Sequence, residues 1–158
     1  MKRQVEDLRH QAAHLKDKRH ISLWDLINAR KRHSSKLNTV FKVIKDGDYE
    51  TQKYGAAIKE ERYARADRDA AVANFAPIRK LERQTRRQLK SAEYYAGKLE
   101  SAGIQVGAKA EFTLKTGKKV SGKVIMIHLK EGHIIIKPGF LREEQIISLN
   151  QVVNAHTI

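Results

Sequence analysis

The stretch LKTGKKVSGKVIMIHLKEGHIIIK, residues 114–137, decides the fold. Short Val/Ile runs are separated by Thr116-Gly117-Lys118 and by Glu131-Gly132, turns in which Gly supplies the positive φ that a tight reversal needs. Gly122 lies inside the longest run, where it permits a sharp bend of one strand. Alternation along that run puts Val124 and Met126 on one face and Ile125, Ile127 and Leu129 on the other. Downstream, QIISLNQVVNA (residues 145–155) holds two more short apolar runs around a turn. The spacings predict five strands, over 108–115, 119–130, 133–137, 145–148 and 152–155, forming a small β-barrel.

Upstream the composition changes. Residues 1–103 are rich in Ala, Arg, Lys, Glu and Gln, which favour helix, so the chain divides into a basic α-helical region over 1–103 and a small β domain over 104–158. Apolar spacing predicts a helix over 3–16 and a second capped by Ser22, with Leu23, Trp24, Leu26, Ile27, Leu37, Val40, Phe41 and Ile44 at helical intervals. Trp24 is expected as a core anchor there. Lys45-Asp46-Gly47-Asp48 breaks this helix, and a third follows over 49–74. Pro77 suits the first position of a fourth, on which Ile78, Leu81, Thr85, Leu89, Ala92, Tyr95, Leu99 and Ala102 follow three- and four-residue steps to a stop at Gly103. The fold class is therefore α+β: a helical bundle or long helical hairpin, then a five-stranded barrel. The near-heptad steps also permit pairing with a second copy.

The glycine turn, the Gly-bent strand, the tight hairpin and the short helical turn before the last strand are similar to SH3-like and Sm-like barrels. Within that group residues 104–158 resemble the C-terminal half of the YolD-like family of small bacterial proteins, and the stretch from Asp67-Arg68 through Phe75 to Pro77 resembles a family motif. Pro77-Ile78 stands where that motif has Pro-Phe, and the first 50 residues have no counterpart in it. The resemblance implies a non-catalytic accessory of DNA repair polymerases or of mobile elements.

Charge is the other strong signal. Among 158 residues, 32 are Lys or Arg and 18 are Asp or Glu, a net +14. Residues 1–103 hold 24 basic and 14 acidic groups and residues 104–158 hold 8 and 4, with Arg142 the one tail arginine of 13. On the helix begun by Pro77, Arg79, Arg83, Arg86 and Lys90 fall within about 60° of one another, with Lys80 and Arg87 beside them and Glu82 the only acid. Like charges at helical spacing repel, and the planar guanidinium fork matches phosphate. A solvated face, a nucleic acid or an acidic protein surface are the readings open for it. Arg30, Lys31, Arg32 and Lys36 form a second cluster. Arg62, Arg65 and Arg68 stand among Glu60, Glu61, Asp67 and Asp69, so internal ion pairing is expected there. Lys115, Lys118, Lys119 and Lys123 make a secondary basic edge on the barrel, whose only aromatics are Phe112, expected in the core, and Phe140.

No cysteine is present, which removes disulfides, thiolate metal sites and thiol nucleophiles. His10 and His14 stand one turn apart, and His20 and His33 follow without a matching ligand pair, so neither metal nor cofactor is expected. No phosphate-binding glycine loop, nucleophile elbow or metalloprotease motif occurs. No apolar window reaches a membrane span and no secretory signal opens the chain, so a cytoplasmic location without membrane partners is expected. The function this implies is non-enzymatic, largely sequence-independent nucleic-acid association, with a phage or other mobile element as a compatible source. The alternative is an assembly or inhibitor protein docking on a partner such as a nucleic-acid enzyme. Homo-oligomerisation stays open.

Overall fold

The computed structural model describes residues 1–48, 51–139 and 143–158. Tyr49, Phe140 and Arg142, which the sequence reading invoked, lie outside them. Two long helices, α1 (Lys2–Lys45) and α2 (Gln52–Ser101), precede five strands: β1 (Lys109–Leu114), β2 (Lys119–His128), β3 (His133–Lys137), β4 (Gln145–Ser148) and β5 (Val152–Thr157). A single 3₁₀ turn, Leu149–Gln151, joins β4 to β5. The architecture is α+β. Among the described residues no helix is long and apolar enough to cross a membrane.

The four helices expected from capping residues are two. Ser22 is buried inside α1 rather than capping a helix, and Pro77 stands inside α2. Proline in a helix removes one hydrogen bond and crowds the carbonyl four residues back. Here both Pro77 and Ala73, whose carbonyl is released, are exposed, so the break falls on the solvent side of the helix. Both helices stop where glycine was expected to stop them. At the end of α2 the Gly103 amide donates to Glu100 O (3.0 Å) and the Ile104 amide to Leu99 O (2.9 Å), with Gly103 at φ +69°. That bond pair satisfies the last carbonyls and sends buried Ile104 back beside Leu99. The same pattern, Gly47 to Ile44 O and Asp48 to Val43 O, ends α1.

Packing divides the chain into two compact units, one of residues 13–83 and one of residues 1–12 with 84–158. The switch from helix to strand falls at the compositional change near Gly103, but the helix ends on both sides of the hairpin belong with the sheet. Val5 and Leu8 of α1 and Ala92, Ala96 and Leu99 of α2 share one core with Phe112, Val124, Ile127, Leu129, Ile134, Ile136 and Ile147. The apolar faces of those helix ends are buried only by lying on the strands. Gln4 ties α1 to β2 at both ends of its amide: its Nε2 donates to Ile127 O (2.8 Å), and its Oε1 accepts from the Leu129 amide (3.0 Å).

The strands form one antiparallel sheet in the order β4-β3-β2-β1-β5, and no ladder joins β4 to β5 among the described residues. A bulge between Val124 and Met126 shifts the β2–β3 register. It overturns the expected pairing of faces: Val124 joins Ile127 and Leu129 in the core, while Met126 is 45% exposed. Gly122 sits where β3 leaves the sheet. A Cβ there would lie 2.6 Å from Lys137 O and 3.0 Å from Pro138 Cα, so only glycine fits. Phe112 is fully buried, as expected.

In the unit of residues 13–83 the inward residues of α1 are Ser22, Leu26, Ala29, His33 and Val40, and those of α2 are Ala57, Glu61, Ala64 and Glu82. Steps of three and four link Ser22, Leu26, Ala29 and His33 on α1 and Ala57, Glu61 and Ala64 on α2, the spacing of a paired-helix seam. Trp24 is not part of it. At 63% exposure it stands on the far side of α1 from Leu26 and Ala29, and Leu23 and Phe41 are also exposed. Beside Leu26 and Val40, which the apolar spacing picked out, the seam holds small and polar side chains that such spacing could not reveal.

Candidate functional site

Polar seam contacts in the 13–83 unit are specific. Arg19 Nε meets the buried Glu82 carboxylate at 3.2 Å. His33 Nε2 donates to Glu61 Oε1 at 2.9 Å while its Nδ1 accepts from Arg68 at 3.4 Å, and Arg65 reaches the same Glu61 oxygen at 3.0 Å. The His33 hydrogen bond holds the Glu61 carboxyl below the ordinary glutamate range; desolvation opposes it, and Arg65 adds to it. Arg68 also pairs with Asp69 at 2.6 Å. The expected internal pairing of Arg65 and Arg68 is thus present, and these arginines are occupied.

The basic stripe is different. Arg79, Lys80, Arg83, Arg86, Arg87 and Lys90 are all exposed on α2. Turning Glu82 inward onto Arg19 removes the stretch's one acid from that face. None of Arg79, Lys80, Arg83, Arg87 and Lys90 has a carboxylate within 4 Å among the described residues. Tyr94 stands one turn beyond Lys90 and is 65% exposed; it carries an aromatic ring next to the cations. It lies on the edge of the basic face, where a search for apolar periodicity passes over it. Arg87 also lines a groove with Gln88, Ser91, Lys130, Glu131 and Asn150.

Arg30, Lys31 and Arg32 are exposed on α1, but Lys36 is half-buried and bridged to Glu60 at 2.7 Å. On the sheet Lys115, Lys118, Lys119 and Lys123 are exposed, with Lys119 held by Glu111 at 3.0 Å. Register adds what spacing along the chain does not contain. Lys109 pairs with Lys123, and Lys123 with Lys137, giving a row of three exposed lysines across β1, β2 and β3. They line one cavity with Ser121, Gly122 and Gly139. Like charges directly opposite on a sheet destabilise it, so an anion on that row is favoured. Lys109 and Lys137 stand outside every basic run in the sequence.

Outside the helices, His128, Glu131 and His133 bring potential metal-ligating atoms within 4.8 Å of one another. Comparison of the chain with protein-family models, curated proteins and solved structures finds no match.

Proposed function

We propose that the chain is a non-enzymatic nucleic-acid-associated protein that grips phosphate backbones with little sequence preference. The observation that carries this reading is the α2 face on which exposed Arg79, Lys80, Arg83, Arg87 and Lys90 stand without carboxylate partners among the described residues while Glu82 turns inward. Arginine forks suit phosphate oxygens, and successive helical turns offer cations at about 5.4 Å intervals. Tyr94 adds a ring on which a base stacks. The Lys109, Lys123 and Lys137 row and the exposed Arg30, Lys31 and Arg32 supply further footings. None of these groups makes a base-reading code, so binding is governed by phosphate contacts and by salt. The resemblance to the YolD-like family supports a place beside a DNA repair polymerase or on a mobile element.

A second reading, docking on a protein partner, is favoured by exposed Trp24 with Ile21 one turn before it, a pair of large apolar side chains left in solvent. Titration of random duplex and single-stranded oligonucleotides from about 50 to 300 mM salt separates the two. Nucleic-acid association predicts affinity that falls steeply with salt. Replacing Arg79, Arg83 and Lys90 by Glu should flatten that slope by about one unit per lost phosphate contact. Binding weaker than about 100 μM at low salt, or insensitive to those replacements, overturns the nucleic-acid reading.

A further inference from the structure

We propose that the β2–β3 turn is a binding site for a divalent transition metal, with His128, Glu131 and His133 as its protein ligands. His128 and His133 are the last register pair of the hairpin, so their side chains leave the same face of the sheet, with ring centroids 4.7 Å apart. Glu131 lies in the turn between them. Its Oε2 stands 3.8 Å from His128 Nδ1 and 3.7 Å from His133 Nε2, too far for a hydrogen bond to either. Ligands at about 2.1 Å from a tetrahedral ion lie about 3.4 Å from each other; the two Glu131–histidine separations need to close by only a few tenths of an ångström, and all three donors already lie within 4.8 Å of one another.

The turn that carries them is anchored on every side. The Gly132 amide donates to His128 O and the Leu149 amide to Gly132 O, both at 2.8 Å. Leu129 is buried in the core, and Gln4 brackets it from α1. Asp7 of α1 and Lys130 line the same hollow as His128 and Glu131. Two imidazoles with one carboxylate select zinc and its neighbours over magnesium and calcium, which take oxygen ligands. Three protein ligands leave a position for water or for an incoming ligand atom.

Calorimetric titration of the full, EDTA-treated chain with ZnCl₂ tests the site. One Zn²⁺ per chain with Kd of about 10 μM or tighter is expected, with no saturable heat from MgCl₂. Removing even an outer-shell partner of a metal site costs about tenfold or more, so His128→Gln, His133→Gln and Glu131→Gln should each weaken binding by at least that factor. Glu131 is exposed, so its variant keeps the fold; Zn²⁺ should raise the thermal midpoint of the parent chain and leave that of Glu131→Gln in place. Two results overturn the proposal: no saturable binding up to about 1 mM Zn²⁺, or binding that survives the His128→Gln/His133→Gln double variant and is lost with His10→Gln/His14→Gln.

Discussion

The unit of residues 13–83 and the unit that holds the sheet are built on opposite principles. The sheet unit buries Phe112, Val124, Leu129, Ile134 and Ile136, large apolar side chains whose removal from water drives folding at about 25 cal/mol per Å². The helical unit buries Ser22, Glu61 and Glu82 beside Leu26, Val40, Ala29, Ala57 and Ala64, while Trp24, Ile21, Phe41 and Tyr63 remain in solvent. Between its helices stand the Arg19–Glu82 ion pair and the His33–Glu61 hydrogen bond. The lesson is that burial volume stabilises one region, while charge and hydrogen-bond matching select the register of the other.

Deleting volume should hit the sheet unit hardest. Phe112→Ala is expected to cost about 3–5 kcal/mol by urea unfolding, since the fully enclosed ring leaves a cavity. Gly122→Ala should follow at about 1–3 kcal/mol, because the atoms its Cβ meets are backbone atoms of Lys137 and Pro138 that cannot swing aside. The helical seam should answer in the other sense. Joint replacement of Arg19 and Glu82 by Leu should leave stability unchanged or raise it by about 1 kcal/mol, yet broaden the oligomeric state seen by sedimentation, because an apolar seam accepts several registers and partners. A single, unchanged species after that replacement would refute the register role.

Acid should touch the helical unit through Glu61. Its carboxyl titrates lower in the fold than in the unfolded chain, so its stabilisation is complete above the ordinary glutamate range and is lost as pH falls through the lowered value. Thermal midpoints of the parent chain and Glu61→Gln should differ at neutral pH and converge in strong acid. The smallest effect is expected at Trp24, where Ala should change stability by less than about 0.5 kcal/mol because the indole is mostly in water.

Much of the β region was legible. Three strand ranges and the turns at Gly117 and Gly132 depend on local φ/ψ and on a period of two, and both are written along the chain; Gly122 was read as a bend, whereas its close approach to Lys137 and Pro138 is set by pairing with β3. Legible too was the basic stripe, because helix geometry turns Arg79, Arg83, Arg86 and Lys90 into one face wherever the helix packs. The helical seam was legible only in part: Leu26 and Val40, read at helical intervals, are buried in it, but Ser22, His33, Glu61 and Glu82 share the inward face, and Trp24 draws attention to the wrong side.

The chain alone determined element type, the glycine stops of the two helices and the location of its positive charge, since each follows from neighbours within a few residues. Only the tertiary structure decided which helix face turns inward, that the bulge before Met126 reverses its side, that Lys109, Lys123 and Lys137 stand in one row, and that His128 meets His133 across the turn. Those are relations between segments distant in sequence, and shape and charge matching across space set them where periodicity along the chain is silent.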